Sequence, residues 1–303
     1  MNYNNLPNLN ESVLAALDFF AKNKPPRLNL NQFNLPIVVG SGNAYNTGQI
    51  IFSGRPALIT NESSFKKILT GYKKLIKNKT ITQALVISAS GEKDSVWETK
   101  LAKKLGLKTT LLTCSPESSA AKLADRVITY KKLAEPYTYN VSTYLGIILS
   151  ATGEDPKKIQ TAIEKLVLPK NFNKYQAYSF ILPDEFAAVA PMLEIKRHEL
   201  FGPCLSLRAF SFGEARHAKF VNNSGKELVI SFGGNKYFGL KKNRFEIKLT
   251  GAIKAGLIMA LSYYLIGLIQ KGKTPYFKRN IAKFCQTGPK AYGGNKPFPV
   301  IVK

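Results

Sequence analysis

The 303-residue sequence predicts a doubly wound α/β protein. Three observations lead there. Short β-like runs, apolar nearly throughout, alternate with longer helix-patterned segments, as expected where helices cover both faces of a parallel sheet. Glycines and small hydroxyl residues mark the points where these runs give way to helices. The length passes the size at which one core stops growing, which predicts two domains of roughly 100–150 residues each.

Taken in order, residues 1–34 form a preamble in which Asn10 or Ser12 caps a helix carrying Val13, Leu14, Leu17, Phe19 and Phe20, stopped by Pro25 and Pro26. This arm has an apolar face to pack on a domain or on a second subunit. The first β-like runs are residues 36–41, 57–60, 84–90, 108–114 and 126–130, with helices near 44–53, 63–77, 94–105 and 117–124. Two further helices are predicted over 137–151 and 156–167. A second, looser α/β half follows. It has strands at 177–183, 206–210, 227–232 and 244–249, a helix from Asp184 to Phe201 with a step at Pro191, and a helix over 251–271 ended by Gly272. The tail from Lys273 to Lys303 is rich in Lys, Gly and Pro and shows little periodicity. The boundaries drawn are an arm at 1–34, a first domain at 35–168, a second at 169–285 and a tail at 286–303.

The chain carries 44 Lys and Arg against 19 Asp and Glu, a formal net charge of +25. This charge fits an anionic partner, or else a lysine-rich solvated surface. Nucleic acid is not expected, because no helix-turn-helix or aromatic-interleaved basic motif is present. The three cysteines, Cys114, Cys204 and Cys285, are widely spaced, and the polar first residues lack an apolar signal core, so no disulfide framework is expected. The longest apolar run, Ala255 to Ile269, is shorter than the roughly 20 residues a membrane span needs. The expectation is a cytoplasmic protein without metal or cofactor. No Cys/His cluster has ligand spacing, and there is no GxSxG elbow, no GxGxxG and no GxxxxGK[ST].

Two strand ends carry anion-binding chemistry. In VVGSGNAYNTG (38–48), Gly40 and Gly42 permit a tight turn, and a helix begins near Ala44 or Tyr45. In ISASGEKDS (87–95), Ser88 and Ser90 offer hydroxyls, Gly91 permits positive φ and Lys93 supplies charge. A helix N-terminus with free N–H groups suits a phosphate.

ISASGEKDS resembles the LSxSGETxDT signature of sugar isomerase (SIS) domains, and GSGNAYNTG is similar to their first strand-to-helix turn. Glu135, in KLAEPYTYNVST, falls where these domains carry an E-x-x-VAST-like segment. LEIKRHE (193–199), FGEARHA (212–218) and LIGLIQKGKTPYFKRNIAKF (265–284) resemble the isomerase half of glucosamine-6-phosphate synthase, without its glutaminase domain. Ala44 and Lys93 depart from the family's serine and threonine. The resemblance implies two SIS domains with mainly parallel five-stranded sheets, a sugar-phosphate substrate and a homodimer with shared sites. It implies that Gly42, Asn43, Ser88, Ser90, Lys93 and Glu135 hold the phosphosugar. It further implies that Glu199 moves the proton between C1 and C2, with Glu194 the alternative if the register differs. By the same resemblance, His217 is expected to open the ring and Lys283 to bind or stabilise the open-chain sugar. The implied activity is aldose–ketose isomerisation; a sugar-phosphate deaminase or deglycase and a non-catalytic phosphosugar sensor are the alternatives. His198, the second of only two histidines, is expected to be an ordinary helix-end residue.

Overall fold

The computed structural model describes residues 3–218 and 224–303. The chain divides into two compact units, one made of Lys22–Lys132 and Thr143–Gly153, the other of Met1–Ala21, Leu133–Ser142 and Glu154–Lys303. It opens with helix α1 (Leu9–Lys22). Asn10 and Ser12, the expected caps, lie inside this helix and are buried. The Glu11 carboxylate instead reaches back to the Asn8 N–H at 2.7 Å, which satisfies the helix entrance two residues earlier.

In the first unit the order is β1 (Ile37–Gly40), α2 (Asn43–Ile51), β2 (Leu58–Thr60), α3 (Phe65–Gly71), α4 (Lys73–Lys77), β3 (Gln83–Ile87), α5 (Asp94–Lys104), β4 (Lys108–Thr113) and β5 (Arg126–Thr129). The five strands form one sheet in the order β2-β1-β3-β4-β5, all parallel. Ile37, Val39, Ala84, Val86 and Leu111 send their side chains into a core closed by Phe65, Leu69 and Ala102 from the covering helices. The helix expected over 63–77 is two, parted at Tyr72. The helix expected over 117–124 is a run of turns. Its backbone is claimed by the neighbouring loop: Ala120 N–H donates to the Gly91 carbonyl and Ser119 N–H to the Glu92 carboxylate, both at 2.9 Å.

The chain continues through β6 (Glu135–Pro136), α6 (Val141–Thr152), α7 (Pro156–Glu164), β7 (Ala177–Leu182), α8 (Ala190–Phe201), β8 (Ser206–Ser211), α9 (Phe212–His217), β9 (Glu227–Phe232), β10 (Arg244–Ile247), α10 (Ala255–Lys271), α11 (Tyr276–Thr287) and β11 (Ile301–Val302). The sheet of the second unit has the order β10-β9-β7-β8, again parallel. Among the described residues it holds four strands where five were expected. Counted from its first strand, its order repeats that of the first sheet and stops one strand short. A separate antiparallel pair joins β11 to β6.

Helix α8 starts after a 3₁₀ turn over Asp184–Val189, with Pro191 in its first turn, where a missing N–H costs nothing. Helix α10, the long apolar run, is almost wholly buried. Among the described residues no single helix is long and apolar enough to cross a membrane. Helix α1 packs on α10 so closely that a Cβ at Gly267 would lie 1.9 Å from the Asn10 nitrogen. Helix α11 occupies a stretch expected to be irregular. Its buried Phe277, Ile281 and Cys285 make a stripe one residue wide at a spacing of four, too narrow to stand out among the surrounding lysines.

Candidate functional site

In open α/β sheets, ligands dock beyond the carboxyl ends of the strands, where the strand order reverses. In the first sheet that point lies between β1 and β3. Both expected anion-binding turns are there: Gly42 and Asn43 follow β1, and Ser88, Ser90 and Lys93 follow β3. The two turns share one backbone conformation at the residue before the helix, φ 55°, ψ −121° at Gly42 and φ 55°, ψ −122° at Lys93. Glycine enters this region without cost, whereas a lysine there is strained. The ammonium of Lys93 is partly desolvated, which lowers its pKa, and Asp94 opposes that shift.

The serine hydroxyls also build the turn. Ser88 Oγ accepts the Gly91 N–H at 3.1 Å and Ser90 Oγ the Glu92 N–H at 3.4 Å. Each hydroxyl keeps its own proton to donate to an anion. Gly91 has φ +63°, and a Cβ there would sit 1.9 Å from Ser118 Oγ, so the turn closes only with glycine. Asn43 is buried and its Oδ1 has no hydrogen-bond partner.

The second unit contains a cleft of about 280 Å³ lined by Thr138, His198, Glu199, Tyr276, Phe277, Asn280, Ile281 and Phe284. Its charged group is the Glu199 carboxylate. Lys196, fully buried one turn earlier on α8, donates to Glu199 Oε2 at 2.6 Å and to the Thr138 carbonyl at 2.5 Å. Burial pushes the Glu199 carboxyl above its ordinary pKa, and the Lys196 ammonium opposes that shift. The Thr138 hydroxyl makes no hydrogen bond of full geometry, but it favours the anion from close by. Glu194 is occupied elsewhere: it accepts the Ala209 N–H of β8 at 2.8 Å and pairs with Arg197.

The remaining expected residues are spread through the second unit. Glu135 is buried in β6, where both carboxylate oxygens accept the Ser142 N–H, at 3.0 and 3.2 Å, and so hold the start of α6. His217 is exposed at the end of α9, and Lys283 is exposed on α11 outside the residues that line the cleft. His198, read as an ordinary helix-end residue, lines the cleft, and its ring meets the Arg197 guanidinium at 2.6 Å. Lys196 was missed in the sequence although a signal existed. Met192, Leu193, Lys196 and Leu200 are the buried stripe of α8, so helical periodicity alone directs this lysine inward.

The fold defines an α/β protein of two parallel sheets, with two equivalent strand-to-helix turns at the β1 and β3 termini. No family model matches the chain, and no curated protein matches it in sequence. Solved structures do match. Glucosamine-6-phosphate deaminase from Thermotoga maritima has a TM-score of 0.58 at 15% identity, over 88% of this chain and 93% of that one. Tagatose-6-phosphate ketose/aldose isomerase from Escherichia coli has 0.56 at 14%, over 88% and 89%. The C-terminal domain of glucosamine-fructose-6-phosphate aminotransferase from Francisella tularensis has 0.55 at 13%, over 87% and 93%. At these identities the likeness establishes a shared fold.

Proposed function

We propose that this protein binds a phosphorylated sugar and interconverts its aldose and ketose forms. The observation that carries this reading is the pair of equivalent turns at the switch point, with a strained, charged lysine in one of them. The phosphate accepts hydrogen bonds from the Ser88 and Ser90 hydroxyls and from free N–H groups at the starts of α2 and α5, and Lys93 adds charge. Asn43 turns its unpaired amide oxygen to a sugar hydroxyl.

Isomerisation needs a carboxylate to carry a proton between C1 and C2 and a group to open the ring. Glu199 is assigned the proton transfer. Its burial makes it a stronger base, and the buried Lys196 offsets part of that upward shift. His217 is assigned ring opening and Lys283 the open-chain sugar. Their exposure suits a homodimer in which His217 serves the site of a second copy. Glu135 acts through the turn it holds. The same groups suit release of an amine from an amino-sugar phosphate, and a deaminase is among the proteins of similar fold.

The test is turnover of a panel of hexose, pentose and amino-sugar phosphates, with ketose, aldose and ammonia each measured. Isomer formation without ammonia, lost in Glu199→Gln, is expected. Ammonia release replaces isomerisation by deamination, and no turnover of any phosphosugar removes the enzymatic reading.

A further inference from the structure

We propose that residues 298–302 form a strap that holds the Thr138 turn and, through it, the Lys196–Glu199 pair. The catalytic consequence rests on the isomerase reading; the structural one does not. Thr138 has φ +75°. For a β-branched residue this is a genuine backbone outlier, and such geometry persists only where the surroundings over-determine it.

Two sets of contacts hold it. On one side, β11 pairs with β6, Ile301 opposite Pro136 and Val302 opposite Glu135. The Tyr137 N–H donates to the Val300 carbonyl at 2.7 Å. The Tyr137 ring stacks on Phe298 with centroids 4.9 Å apart and planes at 13°. Phe298 is itself tied down, because its N–H donates to the Cys285 carbonyl of α11 at 2.9 Å. On the other side, Lys196 grips the Thr138 carbonyl and Glu199 together.

The strap fixes the residues just before Thr138, and Thr138 fixes the ammonium that neutralises Glu199. Released, Thr138 relaxes to negative φ and its carbonyl leaves Lys196. Glu199 then loses a fixed cation and a nearby hydroxyl, and both losses favour its protonated form. The other ionisable groups near Glu199 are Tyr137 and Tyr139 on the same segment, and His198 and Tyr276 in the cleft. Thr138 is thus a positioning residue.

The test reads Glu199 without substrate. The carboxyl's pKa is raised by folding, so its contribution to stability is complete below the unfolded value, about 4.3, and is lost as pH rises through the folded value. The pH at which the stability of each protein becomes parallel to that of its Glu199→Gln partner therefore reports the carboxyl. Deletion of 298–303 and Phe298→Ala should each move that pH upward. Adding Thr138→Gly to Phe298→Ala should move it part of the way back, because glycine takes φ +75° without strain and returns the carbonyl, though not the hydroxyl. Should the deletion fail to fold, Phe298→Ala carries the test. An unmoved pH in a folded variant overturns the strap, and a shift that Thr138→Gly leaves untouched overturns Thr138 as the link. With a turned-over sugar phosphate, kcat should fall with KM little changed. A full shift in a protein that turns over no phosphosugar keeps the strap and removes the isomerase reading.

Discussion

Lys93 and Gly42 occupy the same backbone conformation at equivalent turns, yet only one is a glycine. A non-glycine residue in such a region costs on the order of 1–3 kcal/mol, and the extra flexibility of glycine offsets part of the gain from relieving it. Lys93→Gly should therefore raise stability by about 1 kcal/mol while weakening sugar-phosphate binding; thermal unfolding with and without ligand reads both. Loss of stability with binding intact would assign Lys93 a structural role. Glu199→Gln should lower stability, because the buried Lys196 ammonium loses its carboxylate, and should lower turnover by about 10²–10⁴-fold, the usual worth of a placed general base. In the wild type the acid limb of kcat/KM should lie above the ordinary glutamate value, because burial raises this carboxyl. A limb at the ordinary value would place the base elsewhere.

At the scale of elements, the loop after β3 and the turns after β4 form one object, sealed where Gly91 meets Ser118. Gly91→Ala should cost about 2 kcal/mol or more, from strain at positive φ and a backbone forced off its neighbour; chemical denaturation measures it. Helix α5, which leaves this loop, carries a second signature. Glu98 is buried, and burial first, then Asp94 and Glu62, raise its pKa from 4.5 to about 8. The folded state holds this proton more tightly, so the contribution is complete below pH 4.5 and is lost as pH rises to about 8. Glu98→Gln should flatten the fall in stability over that window, which thermal unfolding across pH will show. The strands and turns of the first unit were legible in the sequence because parallel strands buried on both faces write themselves as apolar runs. The turns after β4 were misread because their backbone partners lie in the loop after β3, far along the chain. Helix α11 was missed because its stripe is one residue wide. A resemblance singled out Glu199 but not its partner Lys196, because a lysine reads as solvated until the helical phase of its apolar neighbours is counted.

At the scale of the molecule, the sheets repeat one strand order, and the two equivalent strand-to-helix turns belong to the first. The repeat places no comparable pair of turns on the second sheet among the described residues, where β9 leads through Gly233 and Gly234 and a 3₁₀ turn at Lys241–Asn243 to β10 with no α-helix between. The charge of +25 supplies long-range attraction for a phosphate, and salt should slow its capture. If His217 serves a second copy, mixing Glu199→Gln with His217→Gln should restore turnover that neither variant has alone, and no restoration would confine each site to one chain. The central claim is that a sugar phosphate docks at the β1 and β3 turns. Its most direct test is thermal unfolding of the wild type and Lys93→Gly against hexose, pentose and amino-sugar phosphates, with the free sugars and inorganic phosphate as controls. One sugar phosphate at 100 times its dissociation constant should add about 2.7 kcal/mol to the wild type, its free sugar nothing, and Lys93→Gly should lose most of the gain. A wild type that no phosphosugar stabilises, or a gain that survives Lys93→Gly in full, would contradict it.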